Sequence, residues 1–202
     1  MNKKILTEIL FYKPLNFKND LVHISLLDFN FTREISKVCF DENLWKFTPT
    51  KLINDEDVIN YVNKSLLEYR DEKSIPFVIF DSHSGKLIGS TKCQAISLVN
   101  LRMEIGNTWI IKEYQNKGYN KSVKFELLKF FFEELKFKRI EFKTDLRNLP
   151  SRNALKAIGA VEEGILRNHL KTDDNYWRDS VYYSILSDEW IETKNKFFTS
   201  YL

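Results

Sequence analysis

Gln115-Asn116-Lys117-Gly118-Tyr119-Asn120-Lys121 is the stretch from which the rest of the chain can be organised. Before it, residues 101–111 read as a strand. After it, Val123, Leu127, Phe131 and Leu135 lie on one helical stripe, widened by Phe125, Leu128 and Phe132, so this helix is buried over much of its circumference. Residues 139–145 then alternate as a second strand. The order is strand, basic loop, buried helix, strand: a β-α-β unit whose ligand end is where the helix begins. A helix start exposes unpaired backbone N–H groups, and its dipole favours an anion. Gly118 lets the backbone approach a phosphate closely, while Lys117 and Lys121 add charge. The loop contains neither G-x-x-x-x-G-K-[ST] nor G-x-G-x-x-G, so nucleoside triphosphate and dinucleotide readings fail. On its own residues it is equally compatible with a polar left-handed turn entering a solvated helix.

Working outward, Leu21-Val22-His23-Ile24-Ser25-Leu26-Leu27 alternates as a first strand, and helical stretches are expected at about 31–40 and 54–72. The second can be capped by Asn54, with Asp55, Glu56 and Asp57 suited to the positive end of its dipole. Phe77-Val78-Ile79-Phe80 reads as a short buried strand, and Asp81-Ser82-His83-Ser84-Gly85 as a turn into a strand at 86–96. With 101–111 these make an antiparallel meander. Beyond the β-α-β unit, 151–158 reads as a short helix ending at Gly159, and strands fit 160–170 and 176–186. The total is seven strands, and no compositional seam divides the chain.

Thr144-Asp145-Leu146-Arg147-Asn148-Leu149-Pro150-Ser151 is a second signal. Asn148 closes the strand, and its amide is placed to hydrogen-bond an extended amide-bearing ligand lying between strands. Capping of the following helix by Asn148 or Ser151 explains the same residues.

The chain has 202 residues, 43% hydrophobic and 29% charged, with only 6 Gly and 4 Pro, which fits one domain with a real core rather than a disordered chain. Net charge is +3, but 112–156 carries twelve basic and six acidic residues while the first hundred carry thirteen of each. A local excess of this kind suits a small polyanion better than nucleic acid, and the basic residues form no single stripe. Cys39, Cys93, His23, His83 and His169 show no metal-ligand spacing, so no metal is expected. No signal peptide or membrane span is apparent, and a cytoplasmic location is expected.

Together the two signals resemble the GNAT superfamily of acetyl-coenzyme A-dependent N-acetyltransferases. Its pyrophosphate loop Q/R-x-x-G-x-G/A appears here as Gln115-x-x-Gly118-x-Asn120, with Asn in place of the last small residue. Asn148-x-x-Ser151 and Gly159-Ala160-x-Glu162-Glu163-Gly164-x-Leu166-Arg167 are similar to the RimJ/RimL-like branch, which includes ribosomal-protein alanine N-acetyltransferases. The resemblance runs over about 21–190 and implies a single GNAT-like domain spanning 1–202. It implies an α+β fold with a central, mostly antiparallel seven-stranded sheet flanked by helices. In that fold the fourth and fifth strands splay apart and pantetheine lies between them.

By that resemblance, backbone groups of Trp109, Ile110 and Ile111 would pair with pantetheine amides. The N–H groups of Gln115, Asn116, Lys117, Gly118, Tyr119, Asn120 and Lys121 would hold the phosphates of acetyl-CoA, and Asn148 the pantetheine arm. Glu104, eleven residues before Gln115, stands where members with a glutamate base carry it. Alternation puts it on one strand face with Gly106 and Thr108. An ordinary sheet carboxylate beside a cation such as Arg102 is the other reading of Glu104, and His169 is a second candidate base. The thiolate's usual tyrosine donor is replaced by Leu155; Ser151 matches the serine of the RimJ/RimL-like branch. A glutamate that some alanine N-acetyltransferases use falls at Leu170. The implied activity is direct attack of a primary amine, from a small molecule or a protein N-terminus, on acetyl-CoA in a ternary complex. A coenzyme A-binding module with little activity is the alternative, and a homodimer is common among such relatives.

Overall fold

The computed structural model describes residues 2–172 and 175–201. In chain order they form α1 (Lys3–Tyr12), β1 (Asn16–Lys18), β2 (Val22–Leu26), α2 (Thr32–Ser36), α3 (Asp55–Arg70), β3 (Ile75–Asp81), β4 (Leu87–Ser97), β5 (Arg102–Ile110), α4 (Tyr119–Lys129), β6 (Arg139–Asp145), α5 (Leu149–Lys156), β7 (Val161–Lys171), β8 (Trp177–Leu186) and α6 (Trp190–Phe197). One sheet collects the strands in the order β1-β2-β3-β4-β5-β6-β8-β7. It has eight strands rather than the expected seven. The added β1 is three residues long, too short for alternation to reveal, and pairs antiparallel with β2.

Every neighbouring pair is antiparallel except β5 and β6. A parallel pair needs a crossover, and α4 supplies it. This parallel pairing is short: Arg102↔Arg139, Met103↔Ile140 and Glu104↔Glu141. Beyond Glu104 and Glu141 the two strands part, leaving facing edges unpaired as far as Ile110 and Asp145. The splayed pair anticipated above is therefore present, as β5 and β6 in the eight-stranded count.

The helices seal the two faces. Val123, Leu127, Phe131 and Leu135 of α4 and the π-helical turn that continues it are buried, as the stripe required. On α3, Val58 and Val62 are fully buried, and Asn54 caps the helix by accepting from Asp57 N at 2.9 Å. Residues 31–40 do not form the single helix expected. Asp28 caps a 3-10 turn at Phe29–Phe31, α2 runs only to Ser36, and the indole N–H of Trp45 donates to Cys39 O at 2.8 Å. Neither α1 nor α6 is anticipated by the sequence reading. α6 and the residues after it dock aromatic side chains on α4, with Phe125 5.5 Å from both Phe198 and Tyr201. Among the described residues no helix is long and apolar enough to cross a membrane.

Candidate functional site

The loop after β5 is shaped by its own side chains. Gln115 Nε2 donates to Ile110 O at 2.7 Å, tying the loop back to the end of the strand it left. Asn116 and Gly118 both adopt left-handed backbone, at φ 59° and 88°, which turns the chain into α4. Gly118 is the N-cap and offers no capping side chain. As a result the backbone N–H groups of residues 116–121 have no acceptor among the described residues, whereas the Gln115 N–H, expected among the phosphate donors, closes the preceding turn by donating to Lys112 O at 3.2 Å. Tyr201 Oη donates to Gly118 O at 3.1 Å, and Tyr119 Oη donates to Asp81 Oδ1 at 3.0 Å. The loop is thus braced from outside while its donors point free. Such a set, joined to the positive end of an eleven-residue helix, fits an anion such as a pyrophosphate.

The basic excess of 112–156 does not concentrate here. Lys117 is exposed at the loop, but Lys121 lies over the Phe198 ring. Arg139 is paired with Glu141 and Glu163, Lys143 with Glu104, Arg147 with Asp145, and Arg152 with Glu162. Free backbone donors, not a field of free lysines, are what this loop presents.

Glu104 marks the fork where β5 and β6 part. Its carboxylate is buried, 3.1 Å from Lys143 Nζ through Oε2, and accepts from Gln94 Nε2 at 2.9 Å through Oε1. Its cationic neighbour is therefore Lys143, because Arg102 is turned to Glu141. A Cβ at Gly106 would lie 2.7 Å from Glu104 Oε1, so only glycine leaves the carboxylate where it is. Thr108 is not on this face, contrary to simple alternation. Ser90 pairs with Trp109 and Lys92 with Gly106, so two steps on β4 match three on β5, and Asn107 takes φ 48° in the bulge. The bulge reverses the phase: Trp109 joins Glu104 on the α3 side, and Thr108 turns toward α4.

His169 comes to the Glu104 face from β7. Its Nδ1 is 3.0 Å from Ser180 Oγ, and that hydroxyl oxygen accepts from Arg178 Nε at 3.0 Å. Burial, reinforced by the Lys143 and Arg178 cations and opposed by Glu104, holds the imidazole below its ordinary value. The sheet thus gathers Glu104, Lys143, His169 and Arg178 on one face, from three strands besides β5.

Asn148 and Ser151 stand past the other end of the gap. Asn148 Oδ1 accepts from Ser151 N at 3.1 Å and caps α5, so the capping explanation holds for that oxygen. The Asn148 amide N–H groups are left for other acceptors. Ser151 is half-buried, and its hydroxyl has no partner among the described residues. From Glu141, opposite Glu104, to Asp145 is about 13 Å of strand at the usual rise, so Glu104 and Ser151 flank the opening rather than touch.

Lys124, which the sequence reading passed over, lies beside the parted strands. It projects from α4 to within 2.7 Å of Thr108 Oγ1 and is 3% exposed. Its signal was its spacing from Leu127 and Leu128, which puts it on the buried stripe. Burial pushes its ammonium down to about 8, against the opposing influence of Cys93 and Glu104. From about pH 8 to 10.5 the unfolded chain binds a proton that the native state does not, so stability rises with pH over that window; below pH 8 the full cost is present. Lys124→Met is therefore expected to melt roughly 5 °C higher at pH 7, with the gain shrinking toward pH 10.5, in calorimetric scans. A lower melting temperature at pH 7 would mean that the ammonium is well satisfied in the native state.

Comparison with known proteins agrees with this arrangement. The description "Acetyltransferase (GNAT) domain" matches residues 22–161, from β2 to the first residue of β7. The N-acetyltransferase YnaD of Bacillus subtilis is 30% identical over 151 residues, covering 74% of this chain and 84% of its own. A second protein of that organism, named "Putative ribosomal N-acetyltransferase YdaF", is 35% identical over 108 residues, 54% of this chain and 58% of its own. In fold, a GCN5-related N-acetyltransferase from Brucella melitensis superposes with a TM-score of 0.84 over 93% of this chain and 85% of its own, at 22% identity. A parted parallel pair, a donor loop at the start of the crossover helix and a match across most of the sheet agree: the chain belongs to the GNAT family and is an N-acetyltransferase.

Proposed function

We propose that the chain, as one domain over residues 1–202, transfers the acetyl group of acetyl-CoA to a primary amine by direct attack in a ternary complex. The observation that carries this reading is the row of acceptor-less N–H groups at residues 116–121 opening onto the unpaired edges of β5 and β6. The row would hold the phosphates. The edge of β5 at Trp109 and the amide of Asn148 would hold the extended arm, while Ile110 O is already taken by Gln115 and the Ile111 N–H, expected to pair with the arm, donates to Ile88 O at 2.9 Å. Acetyl-CoA would supply the activated thioester. Glu104, on the face that also carries His169, would take the proton from the incoming ammonium, and the Ser151 hydroxyl would hydrogen-bond the departing sulfur. The acceptor is a small-molecule amine or a protein N-terminus, the latter being the substrate class of the RimJ/RimL-like branch and consistent with the name YdaF bears.

A coenzyme A-binding module with little turnover is a second reading. It is favoured by Leu155 at the usual donor position and by the Lys143 ion pair that already engages Glu104. Thermal shift and turnover separate the two. At a hundredfold excess over its dissociation constant, acetyl-CoA should add about 2.7 kcal/mol, raising the melting temperature by roughly 5–10 °C. Thiol release and mass spectrometry with a panel of amines and N-terminal peptides should then show an acetylated product. No shift at millimolar acetyl-CoA would overturn both readings, and a shift without product would select the binding module.

A further inference from the structure

An ammonium carries three N–H donors and tolerates burial only when they are met. At Lys124, Thr108 Oγ1 meets one at 2.7 Å, and no second acceptor stands among the described residues. Thr108 cannot serve twice without disturbing its own partners. Its hydroxyl lies 2.7 Å from Thr91 Oγ1, which in turn reaches Gly106 O at 3.4 Å. Protons directed from Lys124 to Thr108 to Thr91 to Gly106 O satisfy that chain and leave two ammonium donors unspent. The residue that carries them is buried, 3% exposed.

The place where they are unspent is specific. Thr108 lies on the unpaired part of β5, and the ammonium sits 5.8 Å over the ring of Phe142, the first residue of β6 past the last paired position. Lys124 therefore underlies the gap between the parted strands from the α4 side. Along β5, Thr108 is two residues before Ile110 and four after Glu104, about 7 Å and 13 Å at the usual rise. An arm stretched from the loop end of β5 toward Glu104 passes over it about a third of the way along. The titratable groups whose charge Lys124 feels are Cys93 on β4 and Glu104 on β5. Cys93 is kept a neutral thiol by burial, and Glu104 is held by Lys143 and Gln94 on the opposite face. Neither closes the vacancy in the hydrogen-bond count.

We infer that the Lys124 ammonium, steadied by Thr108, donates to a carbonyl oxygen in the middle of the acyl-pantetheine arm, so that the floor of the gap reads the arm as the loop reads the phosphates. The inference rests on the proposed acetyl-CoA site and deepens it. A neutral carbonyl is the acceptor to expect, because an amide- or thioester-bearing chain is what the parted edges fit, and it brings no second buried charge.

Two ligands separate the arm from the phosphates: acetyl-CoA, and adenosine 3′,5′-bisphosphate, which has no arm. By calorimetry at pH 7.5, Lys124→Met should bind acetyl-CoA about ten- to a hundredfold more weakly, the loss expected for a hydrogen bond from a charged donor. The same variant should bind the bisphosphate as the unsubstituted protein does. Lys124→Gln, which keeps a donor, should recover part of the affinity and carries the test if the Met variant does not fold. Raising the pH to 9 should weaken acetyl-CoA binding to the unsubstituted protein and leave the Gln variant unaffected. Unchanged acetyl-CoA affinity in both variants, or equal losses for both ligands, would overturn the inference. Failure of the unsubstituted protein to bind either ligand would overturn the acetyl-CoA reading itself.

Discussion

Gly118→Val should weaken acetyl-CoA binding by about a hundredfold or more, whereas Lys117→Ala should cost only a few-fold at physiological salt. Gly118 sits at φ 88°, where an L residue is strained by roughly 1–2 kcal/mol. A Cβ there would also lie 3.2 Å from the Tyr201 hydroxyl that donates to the Gly118 carbonyl. Valine must therefore either rotate the peptide away from left-handed backbone or push Tyr201 off its acceptor. Both movements re-aim the N–H groups of residues 116–121, and a hundredfold loss is only about 2.7 kcal/mol. Lys117, by contrast, is an exposed point charge on a flexible stem, screened within about 8 Å in physiological salt. Titration calorimetry on variants shown to be folded by circular dichroism is the measurement. Equal losses for the two would mean that backbone donors do not hold the pyrophosphate.

Glu104→Gln should lower kcat by about 10²–10⁴ while leaving the dissociation constant of acetyl-CoA within a few-fold. The amide keeps the shape over Gly106 but can no longer take a proton, and it ends the ion pair with Lys143. Because the base removes a proton from the acceptor, the deficit should shrink as pH rises and more amine arrives neutral. Ser151→Ala should be milder, about tenfold, since water can replace a hydroxyl that only hydrogen-bonds sulfur. Full activity of Glu104→Gln from pH 6 to 9 would remove Glu104 from the mechanism. His169 would then be the better base: it shares the face, and burial with two neighbouring cations favours its neutral form. In that case His169→Gln should show the loss instead.

Local pattern was enough to read the crossover unit. Gln115-x-x-Gly118, the stripe from Val123 to Leu135 and the alternation of 139–145 are short-range features, and each element formed within a few residues of where its period placed it. The acetyl-CoA family could be recognised from these because its motif is backbone geometry written in a glycine. Segments whose order comes from distant partners were not readable: β1 exists because β2 lies beside it, and α6 because Phe125 and Phe132 offer their rings to Trp190. The site followed the same division. The sequence by itself determined the strand-loop-helix order, the donor loop and the candidacy of Glu104, His169, Asn148 and Ser151. Only the tertiary structure decided which of these share a face, for one extra residue at Asn107 moves Thr108 to the α4 side and a strand's period cannot reveal it. It also decided that Lys143, not Arg102, neutralises Glu104, and that Lys124 is enclosed beneath the gap. Pairing and enclosure are set by strand register and by neighbours far away along the chain, whereas a helical or strand period is set by the few residues on either side.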